Sequence, residues 1–239
     1  YSKVNDNKPQ LMKNKALILV LSIFWFLQLH SQEFTGSFNL VVSQQYKNGN
    51  ERSDTLSYFF GKDKTALIIH AKRNQPDLRL VFNPKDSTIT GLFEQNGIKG
   101  GYILPMNEKY WPGMQVATRD YGTGPRTKLN YTGKTKVIEG YQTREVLAEN
   151  DEYTANLWLP EAIELNMGSV FAYQSVGAGK DTKELELFDQ FGVEGFPLEL
   201  FLKSKTGRAD VVIRVLNISE KINPSIFSSE GHTLNRIEK

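Results

Sequence analysis

Apolar and polar positions alternate along most of this chain, and the alternation begins at Phe34. Phe34, Gly36, Phe38, Leu40 and Val42 fall on one face of an extended run, with Thr35, Ser37, Asn39 and Ser43 on the other. Lys47-Asn48-Gly49-Asn50 then predicts a turn, with Asn-Gly as its signal. Leu56, Tyr58 and Phe60 mark a second strand, and Gly61-Lys62-Asp63 a tight connection. Ala66 to Ala71 reads as a third strand, and Leu78, Leu80 and Phe82 as a fourth, ended by Asn83-Pro84. Thr88 to Phe93 and Ile98 to Leu104 complete the series. Short strands at close spacing with no helix between them predict an antiparallel meander.

Asn107 to Pro125, which contains Trp111-Pro112-Gly113 and Gly122-Thr123-Gly124-Pro125, reads as a long surface connection. Alternation returns between Thr132 and Pro160, a stretch punctuated by Gly133 and Gly140. Tyr141, Thr143, Glu145 and Leu147 share one face of a strand. Tyr153, Ala155, Leu157 and Leu159 share one face of the next, with Asn150-Asp151-Glu152 as the hairpin turn. Trp158, between two leucines, is expected to be buried in a sheet covered by helix on one face.

After Pro160 the period changes. Ile163, Met167, Val170 and Phe171 predict a helix over Glu161 to Tyr173, and Thr182 to Phe191 a second short one. Strands then resume, with Phe196, Leu198, Leu200 and Leu202 in one row and Val211, Ile213 and Val215 in another. Asn223-Pro224-Ser225-Ile226-Phe227 closes the domain. An antiparallel sheet with late helices is an α+β arrangement.

The first residues follow a different rule. Met12, Lys13 and Lys15 precede an apolar run from Ala16 to Leu29, the pattern of a basic segment and a secretory signal core. A membrane-spanning helix needs about 20 apolar residues, and this run is short for that role. Residues 1–32 are therefore expected to be leader and cleaved signal peptide, and residues 33–239 a single domain, exported and soluble. No transmembrane span is expected after signal removal.

Export changes the charge. The whole chain has 29 basic and 27 acidic residues; Lys3, Lys8, Lys13, Lys15 and Asp6 lie in residues 1–32, leaving 25 against 26. With that near-neutral balance there is no basic footprint for nucleic acid and no polybasic patch for a membrane surface. The chain has no cysteine. Disulfides, thiolate chemistry and lipid attachment to an N-terminal cysteine are excluded for it.

Candidate chemistry is thin. His70 sits in an apolar strand and His232 near the end, too few nitrogens for a zinc site without cysteine. No Gly-x-Ser-x-Gly elbow announces a serine hydrolase. Gly133-Lys134-Thr135 and Gly179-Lys180-Asp181 each fail the phosphate-loop pattern, the first upstream and the second at both ends. The clusters Glu149-Asp151-Glu152 and Glu184-Glu186-Asp189 read as solvated surface. Aromatic residues are the stronger signal. Rows of them on a sheet face are ordinarily core, and the functional alternative is an apolar ligand cleft between sheet and late helices.

At Thr132 to Leu159 the wording resembles a family of exported bacterial proteins, domain of unknown function 4412. The Thr-Gly-Lys-Thr-Lys opening, the Ile-x-Gly-Tyr turn at Ile138 to Tyr141 and Leu157-Trp158-Leu159 carry the likeness. Gly195-Phe196-Pro197-Leu198-Glu199, Asn223-Pro224-Ser225-Ile226-Phe227 and Phe82-Asn83-Pro84-Lys85 add to it. The chain departs from the pattern at Thr143, where many relatives carry cysteine after Gly-Tyr-x. The resemblance implies a curved, incompletely closed antiparallel sheet, like that of periplasmic lipoprotein carriers, with helices over its concave face. It brings no catalytic residues and no cofactor.

These readings converge on an exported, periplasmic or extracellular, non-enzymatic protein that binds an apolar or lipid-like ligand in a half-barrel. The ligand-lining candidates are Phe38, Tyr58, Phe60, Phe82, Phe93, Tyr102, Met167 and Phe171, in a cleft of several hundred Å³ below standing-off helices. The alternative is a structural module that contacts another envelope protein and uses the sheet only as scaffold.

Overall fold

The alternation at Phe34 to Val42 becomes strand β1 (Gly36–Gln45), which pairs in antiparallel register with β2 (Glu51–Phe60) so that Phe38 faces Tyr58 and Leu40 faces Leu56. Apolar side chains at every second position thus meet across strands on one face. A computed structural model describes residues 34–118, 130–177, 190–193 and 195–238. The expected leader and signal, residues 1–32, lies outside the described residues, as does most of the second predicted helix.

The same pairing continues through β3 (Thr65–Ile69), β4 (Leu78–Asn83), β5 (Thr88–Gln95) and β6 (Ile98–Pro105). A second meander runs through β7 (Asn130–Ile138), β8 (Tyr141–Glu149), β9 (Tyr153–Pro160), β10 (Glu199–Ser204) and β11 (Asp210–Ser219). β1 and β11 pair with each other, joining the two meanders into one twelve-stranded sheet. Its order is β12-β6-β5-β4-β3-β2-β1-β11-β10-β9-β8-β7, so the two ends do not meet and the half-barrel stays open. The last strand, β12 (Thr233–Arg236), lies parallel to β6. Two hairpins close on two-residue turns, Asn96-Gly97 and Glu139-Gly140. Both residues of each have positive φ, the conformation that matches strand twist and that glycine adopts without steric cost.

Helix is scarce among the described residues: α1 (Met114–Ala117), α2 (Met167–Ala172) and two short 3₁₀ turns, Tyr173–Ser175 and Pro224–Phe227. The helix predicted from Glu161 begins six residues late. Pro160 still belongs to β9, and Asn166 is the cap: its backbone is extended and its side chain accepts from the Ser169 amide. Residues 107–118 are not the surface connection expected of them. Trp111 is 1% exposed and anchors that segment to the sheet.

The core lies on the inner face of the sheet, where Leu40, Leu67, Leu80, Ile89, Leu157, Leu200 and Val215 are buried. A smaller cluster of Ala66, Val81 and Leu92 lies on the outer face, covered by Ile226, Phe227 and Leu234 of the C-terminal arm. Arg79 holds that arm by donating to the carbonyls of Ser225, Ile226 and Ser228 at 3.0–3.3 Å.

Candidate functional site

β1 and β2 place Phe38, Tyr58 and Phe60 side by side on the inner face. The Phe38 and Tyr58 rings stack at 5.2 Å between centroids, and Phe38 meets Phe196 at 4.8 Å. β4 adds Phe82 to this aromatic floor. The cap over it comes from two segments distant in sequence. Trp111, just before α1, lies 4.7 Å from Phe82, and Tyr173, just after α2, lies 4.8 Å from the same ring. Met167 and Phe171 of α2 are buried in the same cluster.

The polar groups that enter this cluster are matched. The Tyr58 hydroxyl donates to the Val170 carbonyl at 3.1 Å and accepts from Gln174 at 2.8 Å. Burial is the main cause that pushes the Tyr58 phenol well above its ordinary range, with Gln174 opposing it. The Trp111 indole donates to the Ala172 carbonyl at 2.8 Å, and the Gly113 amide to Ser175 Oγ at 2.8 Å. Gly113 is needed there, because a Cβ would lie 2.6 Å from that oxygen and 2.9 Å from the Ala172 carbonyl.

Six of the eight expected lining residues therefore come together: Phe38, Tyr58, Phe60, Phe82, Met167 and Phe171. Tyr102 sits at the margin of the same cluster, its ring lying over Gly91. Phe93 stands apart, its ring across Gly100 on the neighbouring strand. The helix does not stand off from the floor as expected. It packs flush on it, since short apolar side chains such as Val170 and Ala172 let α2 approach closely. Trp111, Tyr173 and Gln174 complete the site without having been singled out in the sequence. Trp111 gave one faint signal, a large aromatic inside an apparent loop.

Over β7 to β9 the outer face is more polar. Trp158 lies there, half-buried, with the Lys136 ammonium 4.2 Å over its ring, instead of beneath a helix. Lys136 also pairs with Glu199. Glu145, on the same face, has a side chain only 5% exposed. It accepts from Thr132 Oγ1 at 2.5 Å and Asn156 Nδ2 at 2.7 Å, and pairs with Lys134 at 3.1 Å. Those hydrogen bonds, Thr132 first, hold its carboxyl down at about 2 against the opposing effect of burial. Thr143 is fully buried and donates to the Lys136 carbonyl at 2.8 Å. Glu149 and Glu152 make surface ion pairs with Lys205 and Arg208, as solvated charges do. The second acidic cluster lies outside the described residues. Among the described residues no group of three or more histidine, aspartate or glutamate side chains could hold a metal.

Two cavities open beside the C-terminal arm. One of about 520 Å³ is lined by Asp77, Arg79, Lys99, Glu230 and His232 among others, and one of about 310 Å³ by Val81, Thr90, Phe227 and Leu234 among others.

Residues 34–228 match the family model described as domain of unknown function (DUF4412). The chain belongs to the DUF4412 family. No curated protein matches this DUF4412 chain. Among solved structures, PNGF-II is 13% identical with a TM-score of 0.38, the match covering 85% of this chain and 31% of that one. The DUF4412 chain thus spans about a third of PNGF-II. An uncharacterized conserved protein from Thermus thermophilus is 7% identical with a TM-score of 0.39, covering 93% of this chain and 99% of that one. A LolA superfamily protein from Nitrosomonas europaea is 8% identical with a TM-score of 0.32, covering 82% and 91%.

Proposed function

We propose that this chain is an exported protein that acts by binding an apolar, lipid-like ligand on the aromatic floor of its half-barrel, in the place now filled by the α1–α2 cap. The observation that carries this reading is the cap itself. It is made of a four-residue and a six-residue helix, both far below the length at which a helix is stable alone. Its order depends on the floor it covers, so an acyl chain that covers the same floor competes with it directly.

Magnitudes set the size of the ligand. Each buried methylene contributes about 0.8 kcal/mol, and association costs roughly 4–15 kcal/mol before net affinity appears. A chain of ten or more carbons, about 8 kcal/mol gross, is the smallest that competes. Among the described residues no helix is long and apolar enough to cross a membrane.

One observation favours a second reading. The floor is already fully covered, with Phe38, Tyr58 and Phe82 each at most 2% exposed, as in a scaffold that binds its partner elsewhere. A fluorescent fatty acid separates the two. Tyr58→Phe keeps the ring but removes the hydroxyl tie to Val170 and Gln174. It is expected to lower stability by about 1–3 kcal/mol and yet to bind the probe more tightly than wild type, because the open cap is more populated. Probe binding that is absent in both proteins supports the scaffold.

A further inference from the structure

Ser57, His70 and Asp77 form a relay on the outer face of the sheet that neither the inner face nor the cap explains. Ser57 Oγ lies 2.8 Å from His70 Nε2, and His70 Nδ1 lies 2.8 Å from Asp77 Oδ2. The other oxygen of Asp77 accepts from the Ala71 amide at 2.9 Å. That bond closes the β3–β4 connection and fixes the carboxylate against the ring. The Ala71 amide is also the main cause that holds the Asp77 carboxyl below its ordinary range, with His70 adding to it. A nucleophile, a base in contact with it and a third group orienting the base is the arrangement that activates a serine, whatever the chain order.

A fourth group completes the geometry. Asn39 of β1 faces Ser57 across the ladder, and its side chain lies 2.8 Å from Ser57 Oγ. In the arrangement seen, Ser57 Oγ donates to the Asn39 oxygen, so its proton is directed away from His70. Turning the amide over exchanges acceptor for donor without moving another atom. The hydroxyl proton is then free for His70 Nε2, and the Asn39 N–H holds Ser57 Oγ in place. Ser57 sits between β1 and β3 in the sheet, so its own backbone is committed to the ladders and its side chain is held from the neighbouring strands.

The geometry points to Ser57 as a base-assisted nucleophile that takes the acyl group of small activated esters, with His70 as base, Asp77 as its orienting partner and Asn39 as the side chain that positions the serine oxygen. Ser57 is 7% exposed and lines neither cavity beside the C-terminal arm, which limits the substrate to a small acyl group approaching over the sheet face. In the step, the Oγ–carbonyl carbon bond forms as the Oγ proton passes to His70 Nε2. The bond from carbon to the leaving oxygen then breaks, and that oxygen takes the proton from His70. Water, deprotonated by the same nitrogen, releases the acid. The site and the inner floor lie on opposite faces of the sheet, so neither proposal rests on the other.

An alkyl fluorophosphonate tests it, since attack by Oγ forms a stable phosphorus–oxygen bond as fluoride leaves. Intact mass and peptide mapping should find one adduct, on Ser57, in the wild-type chain. His70→Gln should slow its formation by about a hundredfold or more, within the usual range for general-base assistance. Asp77→Asn, which can still accept from Ala71, should slow it while leaving the unfolding transition in place. No adduct, an adduct elsewhere, or a Ser57 adduct forming equally fast in His70→Gln overturns the assignment.

Discussion

Glu145 shows how a single side chain ties the second meander together. Its carboxylate joins β7 through Thr132 and Lys134 to β9 through Asn156, from a position on β8 between them. Its folded value of about 2 lies below the ordinary 4.5. The stability it contributes is therefore fully present above pH 4.5 and is lost as pH falls toward 2. Glu145→Gln is expected to be less stable than wild type at neutral pH and to show a flatter decline between those limits, measured by urea unfolding across the range. Equal slopes for the two proteins would remove Glu145 from the account. The alternation on β8 already placed Glu145 and Thr143 on one face, but not that this face would be covered. Burial there comes from β7, whose own residues are nearly all exposed and give no apolar row to read.

Elements were legible where one face is apolar and the partner is a sequence neighbour. β1 to β6 and β9 to β11 satisfy both conditions, and their alternation follows from it. β12 satisfies neither: four residues, TLNR, are held parallel to β6 by an arm that crosses the outer face. α1 was hidden because Trp-Pro-Gly reads as a turn, and it is one, though a buried one. The arm depends on Arg79, whose guanidinium serves three carbonyls beyond β11. Arg79→Ala is expected to raise hydrogen exchange at residues 233–236 by tenfold or more, the equivalent of about 1.4 kcal/mol. Exchange in β1 and β2 should stay unchanged. Uniform loss of protection through the sheet would mean that the arm is part of the global fold instead of a separable strap.

For the whole molecule, the aromatic floor could be anticipated because Phe38, Tyr58, Phe60 and Phe82 recur at strand spacing. The closed cap could not, since Trp111 and Tyr173 lie 62 residues apart in the sequence and meet only once the sheet has curved. The outer-face relay was hidden for the same reason: Ser57 and His70 come together through the β2–β3 register, which no local pattern encodes. The central claim is that ligand and cap exclude one another. Hydrogen exchange with and without a saturating long-chain fatty acid, below its micelle concentration, measures this directly. The account predicts that the amides of Ser169 to Ala172 exchange faster with the fatty acid bound, while those of β1 and β2 remain protected. Unchanged or stronger protection of the cap under conditions where the fatty acid is bound would contradict it.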